Sequence, residues 1–230
     1  ETRLSTTDLL ELAASAYTVA GDGLTLSPVL AESGWKLAEP GVGSATLLDP
    51  ETGLKGAIFS ANGEVVVAFA GTEGLQDAFA DIGLGWAQWD RIRETLPQIL
   101  ASLEEDISAV HFTGHSLGGA LAQYAAYEYV LSARTSGLRS SPRIGVTTFN
   151  ALGGESGLVQ NLPATEFATP FDPTLLDAWQ DNIRHYVLGG DFVSRLGGGH
   201  VGGATLLVPN LRDSGGGPLD LLTAHVIPTL

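Results

Sequence analysis

The sequence predicts an α/β fold, a mostly parallel central sheet flanked by helices, and four stretches carry that prediction. Val65-Val66-Val67-Ala68-Phe69 is a continuous apolar run, as a strand buried on both faces requires. Ala109–Gly114 is apolar and β-branched and leads, through a sharp turn, into Leu117 to about Ser132, rich in Ala, Leu and Tyr. Ile144–Asn150 and Ile183–Leu188 read as two more strands, each followed by a Gly-containing turn.

Taken in order, the chain begins with a helix capped by Ser5 or Thr6 and running to about Ala20. Leu9, Leu10, Ala13, Ala16 and Tyr17 give it one apolar face, assigned to packing, and Gly21-Asp22-Gly23 ends it. Glu32 to Glu39 is short and ambiguous. Ser44–Leu48, Leu54–Ser60 and Glu64–Ala70 are strand-like, and the turns at Asp49–Gly53 and Ala61–Gly63 have hairpin residues. Leu75, Ala78, Phe79 and Ile82 fall at i, i+3, i+4 and i+7 of a short amphipathic helix. Trp86 and Trp89 follow and have two readings, an acyl pocket or core packing. Asp90 to Glu105 reads as a helix interrupted or kinked by Pro97. Leu158 to Trp179 is irregular, with Asp172 placed to cap a helix that has Pro173 at its first position.

The chemistry gathers at Gly114-His115-Ser116-Leu117-Gly118, a G-x-S-x-G match in the strand–turn–helix context that a nucleophile elbow needs. Glycine at 114 and 118 removes the Cβ atoms that so sharp a reversal would crowd, and Ser116 can then hold a strained backbone with its hydroxyl exposed. The helix behind it directs free N–H groups at the place where an oxyanion forms. Partners of such a serine follow in the order acid, then histidine. Asp191 stands just beyond Ile183–Leu188, and His225 lies near the end of the sequence.

The other histidines read differently. His111 and His185 lie inside strands and read as structural, and His115 as packing beside Ser116. His200 competes with His225 for the role of base. Among acids, Glu155 and Asp181 are alternatives to Asp191, the first a whole loop earlier and the second before its strand rather than after it. In this arrangement the oxyanion N–H groups come from Leu117 and from the Gly71-Thr72 loop. Gly197–Gly202 formally matches G-x-G-x-x-G, but it precedes an apolar strand, Ala204–Val208, instead of opening a helix, so no dinucleotide site is expected.

These residues carry a resemblance. Gly114 to Ala122 is similar to the elbow of the class 3 (fungal-type) lipase family of the α/β-hydrolase superfamily. Val65–Thr72, followed by Asp77 and Asp81, is similar to that family's "FRGT…D…D" segment, and Asn182–Leu196 resembles the acid-bearing turn of its bacterial members. The chain lacks the Pro-Arg-Val-Gly continuation many members have after the strand at 144–150, which places it nearer the bacterial branch. The resemblance spans roughly Ser5 to His225. It implies that the Thr72 hydroxyl helps the oxyanion and that His225 is the base. It also implies a lid at 74–82, with Leu75, Phe79 and Ile82 over the site; the alternative is a plain surface helix.

Composition sets the outer limits. The 230 residues, 44% of them hydrophobic, suit one globular domain with a sizeable core, and the resemblance implies that 1–230 is a single α/β-hydrolase domain. A formal charge of −15 argues against nucleic acid and strongly anionic membranes. There is no Cys, which excludes thiol catalysis, and no Met, which points to a mature form or a domain cut from a larger protein. No apolar run approaches the roughly 20 residues of a membrane span. The expectation is a secreted or extracellular serine hydrolase of lipid carboxylic esters, a triacylglycerol lipase or lipolytic esterase, working without metal or cofactor. Phospholipase A1 is the alternative. A non-catalytic lipid- or partner-binding domain is the reading from another class.

Overall fold

The structure, a computed structural model, describes residues 4–21, 23–72, 82–103, 106–136, 142–191 and 193–208. Its first helix, α1 (Thr6–Ser15), is held by a reciprocal cap. The Ser5 hydroxyl accepts the Asp8 N–H at 3.1 Å, and the Asp8 carboxylate accepts the Ser5 N–H at 2.9 Å. The helix stops short of Ala20 and tightens into a 3₁₀ turn at Ala16–Thr18. Thr18 gives the reason. Its hydroxyl takes the Ser15 carbonyl at 2.8 Å and receives the Thr25 N–H at 3.0 Å, so side chain replaces backbone in the ladder. Ser27 and Pro28 start a short helix that the sequence reading missed, α2 (Pro28–Glu32).

The strands are β1 (Lys36–Leu37), β2 (Thr46–Asp49), β3 (Leu54–Ala61), β4 (Glu64–Phe69), β5 (Ala109–His115), β6 (Arg143–Phe149), β7 (Ile183–Leu188) and β8 (Ala204–Val208). Among the described residues they form one sheet in the order β1-β3-β4-β5-β6-β7-β8, with β2 also on β3. The pairs made by β3 are antiparallel; those from β4 through β8 are parallel. The expected mostly parallel sheet is present.

Side chains alternate across it. Val65, Val67 and Phe69 of β4 join Val110, Phe112 and Ile144 on one face, under Trp89, Leu96, Leu121 and Tyr124. Val66 and Ala68 face the other way, with Phe59 and Phe149, under Leu9, Leu12, Ala13 and Leu30. Helices on the first face are α3 (Ile82–Ile92), α4 (Leu96–Ala101), α5 (Leu117–Thr135) and α6 (Glu155–Asn161). Truncating a fully buried member such as Leu12 or Leu121 to Ala costs about 2–5 kcal/mol.

One expectation is settled and two are corrected here. Asp90–Glu105 is interrupted rather than kinked: α3 ends at Ile92, and Pro97 sits in the first turn of α4, where a missing N–H breaks no bond. The region thought irregular from Leu158 instead lies partly in α6. Asp172 does accept the Thr174 N–H at 2.9 Å, but no α-helix follows. Leu175, Asp177 and Trp179 donate three residues back, giving turns and a 3₁₀ helix at Asp177–Asn182.

The parallel pairing positions the site. Phe69 is level with Gly114, His115 with Phe149, and Phe149 with Tyr186. The loops after β4, β5, β6 and β7 therefore leave the sheet at one edge, where open α/β sheets gather their functional groups.

Candidate active site

Ser116 has φ 57° and ψ −128°, a region a residue with a Cβ occupies only under strain. Packing around the turn enforces it. A Cβ on Gly114 would lie 2.3 Å from the Gly118 carbonyl oxygen, and one on Gly118 would lie 2.3 Å from that of Phe69. Gly119 is a third such position, its Cβ falling 2.2 Å from the Ala151 Cβ. The backbone is pinned as well: the Ser116 N–H donates to the Phe149 carbonyl at 3.1 Å, and the Ser116 carbonyl accepts from Gly119 at 3.0 Å and Leu152 at 3.3 Å.

Ser116 is the N-cap of the 19-residue α5, yet its hydroxyl does not cap it. The Ser116 Oγ and the Thr72 Oγ1 are both buried, and neither has a hydrogen-bond partner among the described residues. Buried hydroxyls in that state are rare. The sequence reading expected an exposed serine; Ser116 is only 2% exposed. One neighbour pressing on it is the Gly71 backbone, close enough that a Cβ there would reach 2.9 Å from the Ser116 Cβ. Thr72 thus follows a residue in direct contact with the elbow. Leu117, the second residue proposed for the oxyanion, touches α3: a Cβ on Gly85 would lie 2.9 Å from its Cδ1.

Asp191, 2% exposed, lies past the end of β7, where its Oδ1 accepts the Val193 N–H at 3.1 Å. Asn150, at φ 44°, ties the neighbouring edge together. Its side-chain oxygen accepts the Leu188 N–H at 2.8 Å, and its own N–H donates to Tyr186 at 2.8 Å. A buried amide, Gln123, does the same for the loops beyond: it donates to the Gly119 and Leu152 carbonyls and accepts from Gly154 and Val201. Neither Asn150 nor Gln123 was singled out in the sequence, because each acts through partners far away along the chain.

The histidines separate clearly. His185 bonds Thr148 through Nδ1 at 2.8 Å, and burial, then the nearby His200, push its pKa down to about 3. His111 lies against Gly145, and burial, then the Arg143 charge, push it down to about 4. His200 places Nε2 3.1 Å from the Ala151 carbonyl and stacks on His185 at 4.7 Å between centroids. Burial lowers its pKa, opposed by that carbonyl and by the Asp191 charge. The Nδ1 of His115 is 2.8 Å from the hydroxyl of Tyr17, a residue the sequence reading had placed on a packing face. His225, Leu75 and Phe79 lie outside the described residues, and of Ile82 only the backbone is described.

Of the two tryptophans, Trp89 is core and donates to Glu128 at 3.0 Å, while Trp86 stands edge-on to Tyr124 at 5.2 Å. A cavity of about 340 Å³ beside Trp89, Arg93 and Glu128 belongs to the other end of α5, roughly 18 Å along the helix from Ser116, and is not part of this site.

Residues 11–204 match the family model of the Tle-like phospholipase domain, described as phospholipase-like. Among solved structures, the chain is similar to a mutant of MDLA from Penicillium cyclopium, at 20% identity over 92% of this chain and 83% of that one, with a TM-score of 0.58. It is similar to a lipase from Rhizopus microsporus var. chinensis at 19% identity, over 84% and 70% of the two chains, with a TM-score of 0.52. It is also similar to a triacylglycerol lipase from Penicillium expansum at 14% identity, over 87% and 77%, with a TM-score of 0.52. At these identities the likeness is one of fold. No curated protein matches the chain. The elbow, the parallel sheet that carries it and a family match spanning most of the sequence lead to one assignment: the chain has the α/β-hydrolase fold and belongs to the Tle-like phospholipase domain family.

Proposed function

We propose that the chain hydrolyses carboxylic esters of lipids through an acyl-enzyme on Ser116. The observation that carries this reading is the Ser116 hydroxyl itself: buried, unpartnered among the described residues, held on a strained turn, and set against the loop that bears the equally unpartnered Thr72 hydroxyl.

In the reaction, His225 takes the Ser116 proton as Oγ attacks the ester carbonyl carbon, and Asp191 orients the imidazole and stabilises its charged form. The carbonyl oxygen becomes an oxyanion, met by the Leu117 N–H at the start of α5 and by Thr72. Collapse breaks the bond to the alcohol, which leaves with the proton from His225. Water, activated by the same histidine, then releases the acid. No step needs a metal or cofactor.

The reading takes residues 1–230 as one domain, with Leu75, Phe79 and Ile82 forming a lid that opens at a lipid–water interface. The first substrate class is triacylglycerol or another apolar acyl ester. Phospholipase A1 action is the second reading, and the matched family's description, phospholipase-like, is compatible with it. The test is a burst of p-nitrophenol from wild type that Ser116→Ala lacks, followed by rates on emulsified triacylglycerol and on phosphatidylcholine. Wild-type protein without a burst or turnover would leave a non-catalytic lipid-binding domain as the better reading.

A further inference from the structure

We propose that Tyr17 is a positioning residue of this site, its hydroxyl setting the Gly71-Thr72 loop against Ser116. The inference rests on the reading of Ser116 as nucleophile and Thr72 as oxyanion donor, and deepens it.

Three segments distant in sequence converge on one point. A Cβ built on Gly71 would lie 2.7 Å from the Tyr17 hydroxyl, 2.9 Å from the His115 carbonyl oxygen and 2.9 Å from the Ser116 Cβ. The space beside the Gly71 Cα is thus closed by the Tyr17 hydroxyl and the elbow together. The same Tyr17 hydroxyl is 2.8 Å from the Nδ1 of His115, the residue immediately before Ser116. The two rings are 6.1 Å apart at 52°, so the phenol reaches His115 through its oxygen rather than by stacking. One oxygen therefore touches both halves of the candidate catalytic arrangement, the oxyanion loop and the elbow.

Tyr17 stands in the 3₁₀ turn Ala16–Thr18 that ends α1, half-buried against the same core cluster as Leu9, Leu10 and Ala13, with its hydroxyl at the elbow. Apolar packing alone would call for a phenylalanine there, since a hydroxyl brought into a buried site needs a partner. Oxyanion donors act over a narrow range of distance, and a displacement of about 1 Å costs on the order of 100-fold in rate. A group that fixes the spacing of loop and elbow acts on the transition state and not on substrate affinity.

The experiment is a double-mutant cycle between Tyr17→Phe and Thr72→Val, with Ser116→Ala as the control. Tyr17→Phe keeps the ring and removes the oxygen. It is expected to lower kcat about tenfold, with KM within twofold and the folded state intact by circular dichroism and thermal melting. An alkyl boronic acid, which forms an anionic tetrahedral adduct on the serine, should lose affinity by the same factor. In the Thr72→Val background the further loss should shrink to less than threefold, because the hydroxyl being positioned is gone and only the backbone N–H at position 72 is left to respond. Three outcomes overturn the proposal: wild-type kcat in folded Tyr17→Phe, equal losses in both backgrounds, or failure of Tyr17→Phe to fold, which would make the hydroxyl structural. Full activity in Ser116→Ala would instead overturn the underlying reading of the site, and the positioning role with it.

Discussion

A Cβ placed on Gly71 would stand 2.9 Å from the Cβ of Ser116, closer than real Cβ atoms come to other heavy atoms. No side chain separates the loop after β4 from the elbow after β5; the two backbones touch. The same Cβ would meet the His115 carbonyl, which is backbone and cannot swing away. Gly71→Ala should therefore push the Thr72 loop off the elbow while leaving the sheet in place. We expect kcat/KM for a soluble ester to fall about 100-fold, with the far-ultraviolet spectrum unchanged. Steady-state kinetics with a spectroscopic check of folding tests this, and near-wild-type turnover would mean that the contact does not matter to catalysis.

Thr72→Val separates stability from rate. The Thr72 hydroxyl has no ground-state partner among the described residues, so an isosteric methyl breaks no bond in the free protein. Thermal stability should hold or rise slightly. If the hydroxyl meets the oxyanion, kcat should nonetheless fall by about 10²–10³-fold. Ser116→Ala should remove activity by several orders of magnitude with the fold intact, because the proposed triad works as a unit. A Ser116→Ala protein keeping a tenth of the turnover would contradict the acyl-enzyme.

Much of this was legible in the sequence because local rules decide it. The glycines at 114 and 118 report a crowded turn, the run Val65–Phe69 reports a doubly covered strand, and the run Ile183–Leu188 reports the strand past whose end Asp191 lies. What was missed depends on contacts between distant segments. Nothing near Tyr17 signals that its oxygen meets His115, 98 positions away. Gln123 reads as one polar residue in an Ala-rich helix, yet its amide joins α5 to both neighbouring loops. The burial of Ser116 was misread because the elbow motif fixes the backbone and carries no information on what packs above it. The form of the break near Pro97 stayed open between an interruption and a kink, because a proline reads alike as a kink within one helix and as the first turn of the next.

The choice between His225 and His200 makes a direct comparison. His200 has its Nε2 engaged with the Ala151 carbonyl and its ring stacked on His185. His200→Ala should lose that hydrogen bond and contact, costing on the order of 1–2 kcal/mol of stability while leaving activity within a few-fold. His225→Ala should be as inactive as Ser116→Ala. Wild-type kcat/KM should fall on acidification through one group near the ordinary histidine range, about pH 6–7. A folded, inactive His200→Ala beside an active His225→Ala would move the base to His200.

The buried histidines make a separate prediction about stability in acid. His111 has its pKa lowered to about 4, mainly by burial and then by the Arg143 charge; His185 has its lowered to about 3, by burial and then by His200. In the unfolded chain both titrate near 6.5. Between the unfolded and folded values the unfolded state binds more protons, so stability falls as pH drops below about 6.5 and levels off only near the folded values. For His111 alone the loss at pH 4 is on the order of 3 kcal/mol. Carboxylates whose pKa is lowered, Asp49 and Asp172, keep their contribution through this window and lose it only below it. Glu128, raised by burial against the opposing bonds of Trp89 and Arg93, acts in the contrary sense, because its folded form takes up a proton more readily than its unfolded form. The histidine term is isolated by difference. Melting temperature should drop between pH 7 and pH 4.5 in wild type and drop less in His111→Gln, which has no proton to gain there. Parallel melting curves for the two proteins would show that His111 is protonated in the folded state, or that other groups carry the acid sensitivity.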